Sequence, residues 1–145
     1  MRADQRAEPV FAGLALVSDD GAAEGPAAGL LAARRFAPGS AWLALATDMP
    51  LVDPATLAAL VAGRDPQAVA TAFLHADGTP EPLCTIWEPR ARQLLERAAA
   101  TGSASLRRLL GGARLLAAPD PARLASVNSP AEEAAARGRL RSQDG

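Results

Sequence analysis

A short apolar run that ends at a carboxylate constrains this chain more than any other stretch. Residues 42–47 contain no charged side chain, and Asp48, Met49 and Pro50 follow directly. A short, unbroken apolar run is typical of a strand that is buried on both faces of a sheet. Pro50 disfavours a helical conformation at Met49, so the chain is expected to turn at this point. Asp48 is therefore predicted at the carboxyl end of a strand.

The carboxyl ends of strands in an open parallel α/β sheet are where ligands bind. A carboxylate in that position is suited to hold a hard cation such as Mg²⁺ against a phosphate group. A purely structural interpretation is that Asp48 caps the strand and begins a turn. This stretch by itself is compatible with both interpretations.

The rest of the chain alternates between strand and helix patterns, which indicates a three-layer α/β sandwich with a mostly parallel sheet. The Asp77-Gly78 pair predicts a hairpin and so one antiparallel connection. Strands are predicted at residues 13–18, 42–47, 68–74, 82–87 and 113–118. Helices are predicted at residues 26–36, over about ten residues from Pro54, and at residues 88–100, 104–110 and 130–140.

Length and charge limit the classes of function. The 145 residues predict a single domain, with residues 1–10 as an irregular arm and residues 141–145 as a frayed tail. A net charge of -1 argues against binding to nucleic acid or to an anionic membrane. No apolar run has the length of a membrane span, and the single cysteine, Cys84, cannot form an internal disulfide. A cytoplasmic location is the expectation, with Cys84 buried as a small hydrophobic residue.

A second strand end carries a carboxylate and leads into a loop rich in small residues. Asp19 follows the first predicted strand, and the loop ends at Gly25 and Pro26, which open a helix containing Gly29. A helix amino terminus presents free N–H groups and partial positive charge, so this turn could contact an anion or a nucleotide. An ordinary connection between a strand and a helix is the alternative.

Four other segments carry polar side chains with two interpretations each. Glu81 leads from the hairpin into a strand and could face the same cleft or be a solvated turn residue. Asn128 could offer its amide to a ligand or share helix capping with Ser129. His75 is expected to lie on the hairpin surface without a partner, and residues 107–108 are expected to form a solvated helix face.

The order of these segments is more specific than any one of them. The segments are, in order, Gly-Pro-Ala-Ala-Gly-Leu (25–30), Thr-Asp-Met-Pro (47–50), Glu-Pro-Leu (81–83) with Trp87, Ser-Leu-Arg-Arg-Leu-Leu (105–110) and Val-Asn-Ser-Pro (127–130). This succession closely resembles the molybdenum cofactor guanylyltransferases, the MobA-like nucleotidyltransferases, over about residues 9–138. The resemblance implies a Rossmann-like, GT-A-like three-layer α/β/α sheet. It also implies that the GMP part of GTP is joined to molybdopterin with release of pyrophosphate.

The resemblance also assigns roles to individual residues. Asp48 is implied to be the catalytic carboxylate, which binds Mg²⁺ and meets the nucleotide phosphates. The implied nucleotide-binding residues are Asp19, Gly25, Pro26, Gly29 and Asp48. The implied residues on the pterin side are Glu81, Ser126 and Asn128, with Ser126 standing where the family has an asparagine. Contact with other molybdenum cofactor biosynthesis proteins or with acceptor proteins is left open.

The amino-terminal part departs from the family pattern. Members begin with a strand, a glycine-rich loop containing Arg-Met-Gly and a lysine that reaches the phosphates, whereas all 15 basic residues of this chain are arginines. The expectation is therefore an amino-terminally truncated member whose Met1 is an internal start. Two alternatives to guanylyl transfer follow: a non-catalytic remnant or binding module, and a sister transferase that uses CTP or a sugar phosphate.

Overall fold

The computed structural model describes residue 17, residues 26–100 and residues 105–141. The predicted strand at residues 13–18, apart from residue 17, lies outside the described residues, as do Asp19 and Gly25. The strands are β1 (Trp42–Leu45), β2 (Ala70–Leu74), β3 (Pro80–Trp87) and β4 (Arg114–Ala117). The helices are α1 (Pro26–Phe36), α2 (Pro54–Ala62), α3 (Arg92–Ala100), α4 (Leu106–Leu109) and α5 (Pro130–Arg141). Short 3₁₀ helices span Pro89–Ala91, Leu110–Gly112 and Pro121–Leu124.

The four strands form one mixed sheet in the order β1-β3-β2-β4. β2 and β4 are parallel, while β3 lies between β1 and β2 and is antiparallel to both. Three of the four strands therefore run in one direction, and their carboxyl ends lie along one edge of the sheet. The hairpin between β2 and β3 turns at Gly78, whose φ of 79° is in the region that favours glycine. The predicted α/β class and the hairpin are confirmed. The described part of the sheet is mixed rather than mostly parallel, because β3 inserts between β1 and β2 and forms an antiparallel pair with each.

The prediction that the first of these strands is buried on both faces is wrong. Trp42 and Ala44 pack against one core cluster, but Leu43 and Leu45 on the other face are 40% and 44% exposed. The reason is position, because β1 is an edge strand of the sheet that the described residues form. The strand also ends at Leu45, two residues earlier than predicted.

Helices cover both faces of the sheet, which gives the predicted three layers. Alternate residues of β2 point to opposite faces, so Ala72 joins one core cluster and Phe73 joins the other. The first cluster packs helices α1, α3 and α4 against one face of the sheet. The second cluster packs Leu60 of α2 and Leu124 against the other face. None of the helices that the structure describes has the length and apolar character needed to cross a membrane.

Helix boundaries mostly follow the local signals in the sequence. α1 begins at Pro26 as predicted, and α2 begins at Pro54 after the cap Asp53, whose Oδ1 accepts the Thr56 N–H at 2.8 Å. The fourth helix was predicted to begin at Ala104 but begins at Leu106, and its cap residue Ser105 makes no side-chain capping bond.

The Asp53 cap predicts a pH-dependent contribution to stability. Hydrogen bonds from the Thr56 hydroxyl and N–H lower the pKa of Asp53. A carboxyl group whose pKa is lower in the folded state stabilises the protein above its unfolded pKa of about 4 and loses that contribution as the pH falls. We expect Asp53→Asn, which keeps the capping oxygen but does not titrate, to fold normally at pH 7 and to lose less stability below about pH 4. Urea unfolding of both proteins across this range measures the effect, and parallel curves would contradict it.

Candidate functional site

Asp48 lies in a tight turn that follows β1. Ala46 continues the sheet beyond β1, since its N–H donates to the Leu83 carbonyl at 2.9 Å. The turn is then held by a bond from Met49 N to the Ala46 carbonyl at 3.4 Å and by the burial of Met49 and Leu51. The backbone bond of Ala46 to β3 holds the chain before Asp48, and the buried Met49 and Leu51 hold it after Asp48, so the turn that carries the carboxylate is fixed on both sides.

One oxygen of the Asp48 carboxylate is buried without a partner. Within the described residues, no hydrogen-bond donor reaches Oδ1, although its solvent-accessible area is below 1 Å². A buried carboxylate oxygen without a donor is costly, so such an atom points to a missing ligand. No group of three metal-ligating side chains occurs in the same residues. The arrangement fits Mg²⁺, which binds one or two carboxylates together with water and substrate phosphates rather than a full protein cage.

The start of α1 shares a cleft with Asp48. The cleft has a volume of about 610 Å³, within the range of sites that bind nucleotide-sized molecules. Pro26 and Gly29 line it on the α1 side, Thr47 and Asp48 line it at the end of β1, and Leu83 lies on the neighbouring strand. A Cβ atom added at Gly29 would meet no atom within 4 Å, so space for a ligand exists beside that turn of helix. The structure thus brings together two sequence segments that were predicted to serve one site.

The segment before α5 also reaches Asp48. The N–H of Val127 donates to the backbone carbonyl of Asp48 at 2.8 Å. Ser126 and Asn128 flank Val127 and are both exposed, so the two predicted pterin-side residues stand beside the turn that carries the carboxylate. Sequence reasoning had placed these residues near the site only by resemblance.

A capping box begins α5. The Ser129 hydroxyl accepts the Glu132 N–H at 3.3 Å, and the Glu132 carboxylate accepts the Asn128 N–H at 2.8 Å. The Asn128 N–H, together with the Ser129 hydroxyl that donates to Glu132 Oε2 at 3.0 Å, lowers the pKa of Glu132. The predicted capping by Ser129 is confirmed. Asn128 contributes only its backbone N–H to the box. Its exposed side-chain amide is not used there, so the prediction that this amide contacts a ligand is compatible with the cap.

Glu81 is buried rather than being a solvated turn residue. Its Oε1 accepts the Leu83 N–H at 2.6 Å, and its Oε2 lies 2.7 Å from His75 Nε2. The expectation that His75 has no partner is wrong, because the hairpin folds these two side chains together across its turn. β3 starts beside the end of β1, so the pair lies at the same edge of the sheet as Asp48. The Asp-Gly turn signal could have suggested this pairing, since residues flanking a hairpin turn approach each other.

Cys84 is buried on β3 next to these residues and is predicted to be unreactive. Burial, assisted by the negative charge of Glu81, raises the pKa of the Cys84 thiol to about 11. Because the thiolate is the reactive form, we expect no labelling of the native protein by iodoacetamide at pH 7.5 and full labelling in denaturant. Mass spectrometry after a timed exposure measures this, and rapid labelling of the native protein would show that β3 opens readily.

The mixed sheet with helices on both faces, and the cleft between a strand end and a helix amino terminus, define an α/β protein with a candidate ligand site at its strand ends. The family model of the MobA-like NTP transferase domain matches residues 2–120. This chain therefore belongs to the MobA-like NTP transferase family.

Two relatives agree with that membership. The chain is 37% identical over 81 residues to a molybdenum cofactor biosynthesis bifunctional protein of Synechocystis sp., a match covering 55% of this chain and 23% of that protein. This chain thus matches about a quarter of the length of that relative. It also resembles the crystal structure of molybdopterin-guanine dinucleotide biosynthesis protein A from Archaeoglobus fulgidus. That structure aligns with a TM-score of 0.71 at 25% identity, over 86% of this chain and 67% of the other.

Proposed function

We propose that this protein is a Mg²⁺-dependent nucleotidyltransferase that joins GMP from GTP to molybdopterin. The observation that carries the proposal is the buried Asp48 Oδ1, which has no hydrogen-bond partner among the described residues and belongs to a residue lining a cleft of about 610 Å³ in a MobA-like chain. The choice of guanine and of molybdopterin is supported by the likeness to the molybdopterin-guanine dinucleotide biosynthesis protein A from Archaeoglobus fulgidus. The Synechocystis relative, a molybdenum cofactor biosynthesis bifunctional protein, supports a place in molybdenum cofactor biosynthesis.

The reaction exchanges the phosphoanhydride bond between the α- and β-phosphates of GTP for a new bond from the α-phosphorus to the acceptor. An oxygen of the acceptor forms a bond to the α-phosphorus of GTP, and the bond between that phosphorus and the bridging oxygen to the β-phosphate breaks. Pyrophosphate leaves with the electron pair. A bound Mg²⁺ would act as a Lewis acid on the phosphate oxygens and offset the charge of the departing pyrophosphate. Most of the catalytic effect in such reactions comes from positioning and from fixed charge.

The residues of the cleft divide these tasks. Asp48 would hold the cation, and its position is fixed by the buried Met49 and by the Val127 hydrogen bond. The first turn of α1, with Pro26 and Gly29 exposed, would meet the phosphates with free N–H groups and the positive end of the helix dipole. Asp19 and Gly25 are assigned to the nucleotide as well, on the resemblance alone.

The acceptor would lie on the side of the later segments. Ser126 and Asn128 are exposed beside Asp48, where a hydroxyl and an amide can donate to a pterin or its phosphate. Glu81 would serve this side from a fixed position, because Leu83 and His75 hold both of its carboxylate oxygens.

Calorimetry on the full 145-residue chain tests the proposal. We expect GTP to bind with micromolar affinity in the presence of Mg²⁺ and much more weakly in EDTA, because the metal links Asp48 to the phosphates. CTP under the same conditions is the control for base choice. Incubation with GTP and molybdopterin should then release pyrophosphate in equal amount to the dinucleotide formed.

Other outcomes would change the assignment. Tighter binding of CTP than of GTP would replace the guanylyltransferase by a cytidylyltransferase on the same fold. Absence of binding by a chain that is folded by circular dichroism would overturn the proposal and favour a non-catalytic binding role. Binding that is equal with and without Mg²⁺ would remove the metal role of Asp48.

A further inference from the structure

A second cavity, of about 270 Å³, lies at the end of the sheet that is opposite to the end carrying Asp48. β3 ends at Trp87, which pairs with Trp42 at the start of β1, so the residues that follow Trp87 are at the far edge. Arg34 of α1 contacts the segment that follows Trp87, because its Nη1 donates to the Glu88 carbonyl at 3.0 Å. The described residues that line the cavity are Leu31, Arg34, Arg35, Pro38, Arg92 and Glu96.

Arg34 is buried in the wall of this cavity and is only partly satisfied. The residue is 4% exposed, and its second terminal nitrogen donates to the Pro89 carbonyl. These bonds tie the end of α1 to the start of the segment that leads into α3. Its Nε, however, has no acceptor within the part of the chain that the structure describes. An unmet donor on a buried cation is costly, so it points to an acceptor that a ligand would supply.

The lining of the cavity has an excess of positive charge. Arg34, Arg35 and Arg92 contribute three guanidinium groups, and Glu96 contributes the one carboxylate among the described lining residues. That carboxylate accepts from Arg92 Nε at 2.8 Å. Burial and then the positive charge of Arg92 lower the pKa of Arg34, as expected where cations crowd together. An anion in the cavity would relieve this repulsion.

The size of the cavity limits the ligand. Its volume is below the range of about 300–1,000 Å³ typical of sites for drug-sized molecules, so an ion or a small ester fits better than a nucleotide. Guanidinium groups match the geometry and charge of a phosphate. We propose that this cavity binds the phosphate group of a small anion, with Arg34 Nε as a donor and with Arg35 and Arg92 supplying charge. The proposal is independent of the nucleotidyltransferase assignment.

Nuclear magnetic resonance of the arginine side chains tests this proposal on the full chain. The ¹⁵N-labelled protein is titrated with inorganic phosphate, with pyrophosphate and with phenyl phosphate, each against sodium chloride at equal ionic strength. We expect the Arg34 Nε–H signal to shift in a saturable manner with at least one phosphate and to stay in place with chloride. Saturation by phenyl phosphate but not by inorganic phosphate would identify an ester as the ligand. Absence of a saturable shift with all three overturns the proposal.

A matched pair of variants shows whether the cavity itself is the site. Arg92→Gln and Arg97→Gln each remove one positive charge from α3, but only Arg92 lines the cavity. We expect Arg92→Gln to weaken phosphate binding by about tenfold or more, and Arg97→Gln to change it by less than about twofold. Equal weakening by both variants would mean diffuse attraction to a basic surface and would overturn the proposal. The titration of the unchanged protein decides independently should Arg92→Gln unfold.

Discussion

Asp48→Asn is expected to remove Mg²⁺-dependent transfer of the nucleotide while leaving the protein folded. The substitution replaces the charged carboxylate of a cleft residue by a neutral amide, and metal stabilisation of the transition state is worth several kcal/mol. The loss in kcat/KM should be about 100-fold or more, and GTP binding should no longer depend on Mg²⁺. Steady-state release of pyrophosphate and calorimetry with and without Mg²⁺ measure the two effects.

The stability of the same variant separates a functional role from a structural one. Because Oδ1 is buried and no donor in the described part of the chain reaches it, removal of the charge should leave the free energy of unfolding unchanged or raise it. Were Asp48 only a strand cap, Asp48→Asn would lower stability and leave nucleotide binding intact. Asp65→Asn is the matched control, since Asp65 lies in an exposed turn before β2, where its Oδ1 accepts the Gln67 N–H. It should keep full activity.

Trp87→Ala is expected to destabilise the protein by about 3–5 kcal/mol. Trp87 is fully buried at the end of β3, where it pairs with Trp42 on one side and with Ala70 on the other. Loss of its side chain leaves a large cavity in the cluster that joins the sheet to α1 and α3. Since domains of this size have a total stability of about 5–15 kcal/mol, a substantial unfolded fraction at 37 °C is expected. Urea unfolding followed by circular dichroism measures the change.

The other tryptophan provides the control for this prediction. Trp42 is half-buried at the start of the edge strand β1, so Trp42→Ala should cost less than half as much as Trp87→Ala. Trp87→Phe should also be mild, because the indole Nε1 of Trp87 has no acceptor among the described residues and the phenyl ring keeps most of the apolar contact. Equal losses for Trp42→Ala and Trp87→Ala would mean that β1 is as deeply packed as β3.

Local signals in the sequence predicted the elements of this fold well. Pro26 and the Asp53-Pro54 pair mark helix starts that the structure confirms, and the Asp-Gly pair marks the observed hairpin. These signals are reliable because each depends on the backbone conformation of one or two residues. The burial of β1 was overestimated because burial does not depend on the conformation of one or two residues. Whether Leu43 and Leu45 are covered depends on which strands and helices lie beside them, and that is a property of the whole sheet.

The candidate site was only partly visible in the sequence. Asp48 stood out because a carboxylate directly follows an apolar strand, and Pro26 because it opens a helix. The bond between Glu81 and His75 could not be read from residue types alone, since it depends on the geometry across the hairpin. The arginine cavity was missed because Arg34 and Arg92 are distant in sequence and meet only when α1 packs beside α3.

The hydrogen bond from Val127 to Asp48 is formed by two main-chain groups, so the contact between these two segments tolerates side-chain mutation. Any residue except proline can donate from position 127, so the loop before α5 keeps its place beside the turn that carries Asp48 however its side chains change. The side chains on either side of that bond are therefore open to exchange one at a time. Under the proposed function, such a domain could adopt a new acceptor molecule by altering positions 126 and 128 without rebuilding the turn that carries Asp48.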